Sequence, residues 1–217
     1  MADETIKILL AQNYPLFTKG LENLLSKEFG YVIVDIAIDS KDAINKTSSL
    51  KPNVILMDLM LPPVGGISTT RKILKLKTNT ELIILSPYEN NLQLRDAFQA
   101  GAKSFLTKGS SYEELLQAIS HTSRGEYYLS GIVGRDLVLE YIKYPLRENS
   151  ISENITQRER EIACLLANGY STKEVASLLD ISTKTAETHR NSIMKKLKAR
   201  NVTDIVKYCI RMGLIEA

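Results

Sequence analysis

The 217-residue chain has no tryptophan, draws 6% of its residues from aromatics, and holds two histidines and two cysteines. Cys164 and Cys209 lie far apart in sequence, without metal-ligand neighbours, and read as buried thiols of a reduced compartment. No uncharged apolar run approaches the roughly 18–20 residues that span a bilayer. Asp3 and Glu4 stand where a secretory signal would carry positive charge, so a cytoplasmic chain with no membrane partner is expected. Repeats and low-complexity tracts are lacking. The balance of 44% hydrophobic and 24% charged residues excludes a disordered or fibrous chain, and the length suits one large domain or two ordinary ones.

The net charge of +3 is unevenly placed. Residues 1–150 carry 17 basic and 17 acidic side chains, whereas residues 151–217 carry 11 and 8. Within 184–200, Lys184, Arg190, Lys195, Lys196, Lys198 and Arg200 face Glu187 alone. Such a cluster suits a polyanion, although a solvated helix face would carry the same charges.

Five apolar, largely β-branched runs read as strands: 6–11, 31–38, 53–59, 81–86 and 103–108. Amphipathic stretches at 15–28, 40–49, 66–77, 90–100 and 111–122 alternate with them. The alternation predicts an α/β fold, a doubly wound five-stranded parallel sheet with its chemistry at the carboxyl ends of the strands. Residues 123–150, punctuated by Gly125, Gly131, Gly134 and Pro145, read as a linker, with a short helix at 136–142. Residues 151–217 read as an all-α domain of four helices. Thr156 to Glu159 and Ser171 to Glu174 fit the capping box, and Ser182 and Thr203 are further candidate caps.

Between Ser171 and Leu197 a short helix, a tight connection at Asp180–Ser182 and a longer helix give the helix-turn-helix layout. At about 100° per residue, Ala186, Ile193, Met194 and Leu197 form one stripe of the second helix. Lys184, Glu187, Thr188, Asn191 and Lys195 form the opposite one. That outward stripe mixes phosphate-pairing cations with groups that read base edges. Glu187 can accept from cytosine, Asn191 can pair with adenine, and Thr188 can offer its hydroxyl or touch a thymine methyl.

The opening Thr156 to Glu161 (T-x-R-E-x-E), Gly169 to Ala176 (G-x-S-x-K-E-x-A) and Thr185 to Arg190 (T-x-E-T-H-R) resemble the DNA-binding domain of LuxR/NarL-type transcription regulators. The resemblance implies double-stranded DNA as partner, with base contacts from Glu187, Thr188 and Asn191. It places phosphate contacts at Lys173, Lys184, Thr185, His189 and Lys195. It also implies a homodimer paired through the fourth helix, about 203–212, on an inverted repeat. His189 has no Cys, Asp or Glu grouping around it, so phosphate contact or packing is expected of it rather than metal ligation.

VILMDLMLPPVGG (54–66) and the strand order resemble the receiver domain of two-component response regulators, over roughly residues 4–122. The resemblance implies a flavodoxin-like sheet. It makes Asp58 the position that accepts a phosphoryl group from a histidine kinase and Lys108 the lysine that pairs with that group. Ser86 becomes the hydroxyl that follows the phosphate, and Phe105 the aromatic switch; a dimer face at about 90–108 is implied too.

Two departures stand out. The family's Mg²⁺-holding acidic pair is replaced by the amides Gln12 and Asn13. No cofactor is therefore expected, and Mg²⁺ at most weakly, through Asp58. Pro87 follows Ser86 and has no N–H to offer a phosphoryl oxygen, a loss worth on the order of 3 kcal/mol of transition-state stabilisation. An atypical receiver is expected, weakly phosphorylated or not at all. Asp58 and Lys108 should form a direct ion pair, with Gln12 and Asn13 hydrogen-bonding around it.

The alternative is a conventional regulator switched by phospho-Asp58. An enzyme is not expected. No G-x-x-x-x-G-K-S/T or G-x-G-x-x-G loop follows a strand, Asp58-Leu-Met lacks a second aspartate, and His121, in a candidate helix of the linker region, completes no Ser/His/Asp set. A flavodoxin-like cofactor binder is the remaining class. Against it, Gln12-Asn13-Tyr14-Pro15 is not the Ser/Thr/Gly-rich loop such binding wants.

Overall fold

A computed structural model describes residues 5–87, 91–131, 155–212 and 214–215. The chain divides into two compact units, residues 1–143 and 144–217, and each is described by itself.

In the first unit β1 (Ile6–Ala11), β2 (Tyr31–Ala37), β3 (Val54–Asp58), β4 (Glu81–Ser86), β5 (Ser104–Thr107) and β6 (Tyr128–Leu129) form one sheet. Its order is β2-β1-β3-β4-β5-β6 and every pairing is parallel. The connecting helices are α1 (Pro15–Leu25), α2 (Ser40–Leu50), α3 (Gly66–Leu74), α4 (Asn91–Ala100) and α5 (Tyr112–Ser123).

Successive strand side chains point to opposite faces, so the apolar runs split by parity. Leu9, Ala11, Ile55, Met57, Leu82, Ile84 and Phe105 join Ala43, Ile73, Leu94 and Ala97, from α2, α3 and α4, in one core. Ile8, Leu10, Val54, Leu56, Ile83, Leu85 and Leu106 join Leu21, Leu25, Leu115, Ala118 and Ile119, from α1 and α5, in the other. Burying both faces is what makes these strands apolar throughout, each large side chain contributing about 1.5–3 kcal/mol.

Three sequence expectations need correction in this unit. The sheet has six strands, not five. Tyr128 and Leu129, in the stretch read as linker, pair with Ser104 and Phe105, and the Tyr128 N–H donates to the Lys103 carbonyl at 3.1 Å. The helices expected at 15–28 and 66–77 end at Leu25 and Leu74. Their last turns tighten into i→i−3 bonds, Glu28 N–H to Leu25 at 3.1 Å and Leu76 N–H to Ile73 at 2.9 Å. His121 lies in α5 rather than in a linker helix, bonded through Nδ1 to the Glu126 carboxylate at 2.7 Å. The short helix expected at 136–142 falls outside the described residues.

The second unit contains α6 (Gln157–Ala167), α7 (Thr172–Leu179), α8 (Thr183–Leu197) and α9 (Val202–Arg211). Both expected capping boxes are present, Thr156 with Glu159 and Ser171 with Glu174, and Ser182 caps α8. The fourth helix is capped by Asn201, whose side chain accepts the Asp204 N–H at 3.1 Å, and not by Thr203, which lies inside it. Helices α6 and α9 pack together, as do α7 and α8. Cys209 is buried and Cys164 half-buried, both as free thiols. The neighbouring Cys209 and burial push the Cys164 thiol well above the ordinary thiol range. Among the described residues no helix is long and apolar enough to cross a membrane.

Candidate functional site

The carboxyl ends of β3, β4 and β5 bring Asp58, Ser86 and Lys108 to one edge of the sheet. Register does this: Asp58 pairs opposite Leu85, and Ser86 opposite Thr107. The Lys108 N–H donates to the Ser86 carbonyl at 2.7 Å, so the lysine leaves the sheet beside the β4 terminus. The loop after Asp58 is tightly held. The Ser40 hydroxyl donates to the Pro62 carbonyl at 2.9 Å, and Thr69 Oγ1 to Ser40 Oγ at 2.8 Å. Gly66 is required there, because a Cβ at that position would come 2.2 Å from the Asp58 carbonyl oxygen.

The Asp58 carboxylate is 0% exposed and both its oxygens are bonded. Oδ2 accepts from Lys108 Nζ at 2.7 Å, and Oδ1 from the Met60 N–H at 3.0 Å. The ion pair has the form expected from sequence. Its surroundings do not. Gln12 Nε2 donates to the Leu56 carbonyl of β3 at 3.0 Å instead of reaching Asp58. The physical reason is reach: the Lys108 ammonium accepts nothing, and the acceptor that Gln12 Nε2 meets is the strand carbonyl rather than the Asp58 carboxylate. Gln12 Oε1 and Asn13 Oδ1 are buried without a partner among the described residues.

Two aromatic rings that sequence reasoning passed over complete the site. Lys108 Nζ lies 4.2 Å from the Tyr14 ring centroid and 5.1 Å from that of Phe17. Ser86 is buried at the end of β4, and Phe105 faces inward among the α2–α4 core residues.

In the second unit the outward stripe of α8 is as expected from the helical wheel. Lys184, Thr185, Glu187, Thr188, Asn191 and Lys195 are exposed, as is Lys173 on α7, while His189 is half-buried. Ala186 and Ile193 are buried. Some of these hydroxyls are already engaged. Thr188 Oγ1 donates to the Lys184 carbonyl at 2.9 Å, which leaves its methyl and a lone pair to face outward. Thr185 Oγ1 is bonded to Ser182 Oγ at 2.8 Å within the cap.

The T-x-R-E-x-E segment aims this helix. The Glu159 carboxylate accepts from the Thr156 N–H at 2.6 Å, Lys196 Nζ at 2.8 Å and Ser192 Oγ at 2.6 Å. Burial pushes this carboxyl up, but the Lys196, Ser192 and Thr156 hydrogen bonds outweigh it and hold it at about 2. Arg158 donates to the Leu179 carbonyl at 2.9 Å, capping the end of α7, and pairs with Glu161 at 2.7 Å. Asp180 makes the turn in the left-handed region, at φ 57°. Lys196, counted in the sequence among the clustered charges, is therefore paired with Glu159 of its own domain while staying at the surface.

A doubly wound sheet with an aspartate and a lysine meeting at its strand ends, and a helix-turn-helix with a polar outward face, define a two-domain signalling regulator. Residues 8–120 match the response regulator receiver domain, and residues 153–209 the luxR family of bacterial regulatory proteins. The chain belongs to the LuxR-type response regulators. It is 31% identical to the oxygen regulatory protein NreC of Staphylococcus carnosus, over 97% of this chain and 100% of that one. It is 29% identical to the response regulator GacA of Pseudomonas aeruginosa, over 98% of this chain and 99% of that one. Among solved structures, a LuxR-family two-component response regulator from an Aurantimonas species superposes with a TM-score of 0.62 at 29% identity, covering 64% of this chain and 99% of that one. The RcsB response regulator of Salmonella typhimurium shares the fold at a TM-score of 0.73 and 22% identity, covering 96% and 98%.

Proposed function

We propose that this chain is a cytoplasmic, dimeric transcription regulator that binds an inverted repeat through α8, and that its receiver works without a phosphoryl group on Asp58. The observation that carries the second half is the state of Asp58: buried, ion-paired with Lys108 at 2.7 Å, and capped by the Met60 N–H. Because the carboxylate is 0% exposed, a phosphodonor reaches it only after the groups around it, Lys108 among them, shift.

Magnesium does not fit this donor set. One carboxylate already spent on Lys108 and two neutral amide oxygens, Gln12 Oε1 and Asn13 Oδ1, are poor ligands for a hard cation that demands near-octahedral oxygen. Glu187, Thr188 and Asn191 are the proposed base readers. Lys173, Lys184 and Lys195 are the proposed phosphate contacts, with the half-buried His189 at their flank. Thr185 reaches a phosphate only by giving up its cap bond to Ser182. Two copies would place their α8 helices in successive major grooves about 34 Å apart.

A conventional reading, with a histidine kinase phosphorylating Asp58, is favoured by one feature: Asp58, Ser86 and Lys108 are all present at the strand ends, with Phe105 inside β5. Selection of a bound motif from randomised duplexes, done with wild type in the presence and absence of Mg²⁺ and acetyl phosphate and with Asp58→Asn, separates the two. The proposal expects the same motif at the same affinity. A variant that folds but loses its motif contradicts it.

A further inference from the structure

We infer that Tyr14 is the positioning residue of the Asp58–Lys108 pair: its ring, with Phe17 behind it, holds the Lys108 ammonium on the aspartate. The inference rests on the ion-paired reading of the receiver given above, and it names what keeps the pair closed.

The geometry begins in the backbone. Pro15 opens α1, and a residue before proline is pushed into extended conformations. Tyr14 has φ −103° and ψ 102° accordingly. Its carbonyl accepts twice from Thr18, from the N–H at 2.9 Å and from Oγ1 at 2.8 Å. The residue is thus pinned on both sides, and its ring has a fixed origin. Phe17, three residues on, lies on the same side of the helix by the helical repeat.

The ammonium between these groups is bound on two fronts. Asp58 Oδ2 lies 2.7 Å away on one side, and the Tyr14 and Phe17 centroids at 4.2 and 5.1 Å supply negative ring faces. The Lys108 side chain is only 17% exposed. Neither amide of the preceding loop holds it, because Gln12 is turned to β3. In place of carboxylates that would recruit a cation from solution, the β1–α1 loop and the first turn of α1 carry rings that retain a cation the chain already owns.

The full chain is prepared with labelled lysine and studied by NMR, Lys108 being assigned by its loss in Lys108→Arg. Its ε-methylene protons should be displaced upfield by ring current in wild type and in Tyr14→Phe, and return to ordinary positions in Tyr14→Leu. Reductive methylation with formaldehyde, followed by peptide mass, should modify Lys108 about tenfold faster in Tyr14→Leu, with Tyr14→Phe unchanged, the factor that an attraction within the cation–π range supplies. The inference is overturned if the wild-type Lys108 resonances coincide with those of the other lysines. It is equally overturned if Tyr14→Phe behaves like Tyr14→Leu, since the hydroxyl rather than the ring would then be acting. If Tyr14→Leu fails to fold, the wild-type resonances still decide, and a Tyr14→Phe whose Lys108 protons lose the upfield displacement overturns the inference as well. A wild type that accepts phosphate while Lys108 remains ring-shifted would retire the unphosphorylated reading and leave the clamp in place.

Discussion

Replacing Glu159 by Gln should loosen the helix that faces DNA without touching its outward stripe. Folding holds this carboxyl at about 2, against an ordinary 4.5. At about 1.4 kcal/mol per unit, the difference sets a ceiling of about 3–4 kcal/mol. The Glu159 side chain is 5% exposed, but Lys196 is 39% exposed and water screens its share. A loss of about 2 kcal/mol is therefore expected, because glutamine keeps the shape and one acceptor while giving up the charge. Amide hydrogen exchange, read by mass spectrometry on the full chain at neutral pH, resolves this locally. Peptides from α6 and α8 should exchange about thirtyfold faster, and peptides from β1 to β5 should be unchanged. Equal protection of α8 in both proteins would refute the argument that the T-x-R-E-x-E segment aims this helix.

Three further outcomes follow from the same geometry. Because folding lowers the Glu159 carboxyl, its stabilisation is complete above the ordinary 4.5 and fades as pH falls toward about 2, so acid exchange or melting in that window should flatten in Glu159→Gln. On a selected duplex, Asn191→Ala should cost about 1–3 kcal/mol and relax preference at its base, whereas Lys184→Ala should weaken all sequences alike and reduce the salt slope by about 1. Gly66→Ala should destabilise the receiver by about 1–3 kcal/mol in urea titration, since its Cβ would meet the Asp58 carbonyl at 2.2 Å.

Much of this was legible in the sequence, and what was not has physical causes. Apolar runs covered on both faces announce β1, β3, β4 and β5, the half-exposed edge strand β2 is announced by its β-branched run, and the fourth-helix boundaries fall within a residue of those expected. The two-residue strand Tyr128–Leu129 is too short to show a period, and its identity depends on an edge of β5 far away in sequence. Asn201 and Thr203 are both good caps, and only the register of α9 decides that Asn201 takes the Asp204 N–H. Lys196 looks like any surface cation until Glu159, 37 residues earlier, is brought to 2.8 Å. In the receiver, the residue types at the strand ends implied the Asp58–Lys108 contact. The turning of Gln12 toward Leu56 and the placement of the Tyr14 ring depend on which acceptors and cations the fold leaves within reach.

The most direct test of the receiver's state is the intact mass of purified protein after incubation with Mg²⁺ and acetyl phosphate, wild type beside Asp58→Asn. The account predicts no added phosphoryl group on either, with the wild type folded and binding its selected duplex. A gain of one phosphoryl group by the wild type alone would show that Lys108 yields the carboxylate and that Asp58 is a working acceptor, contradicting the account.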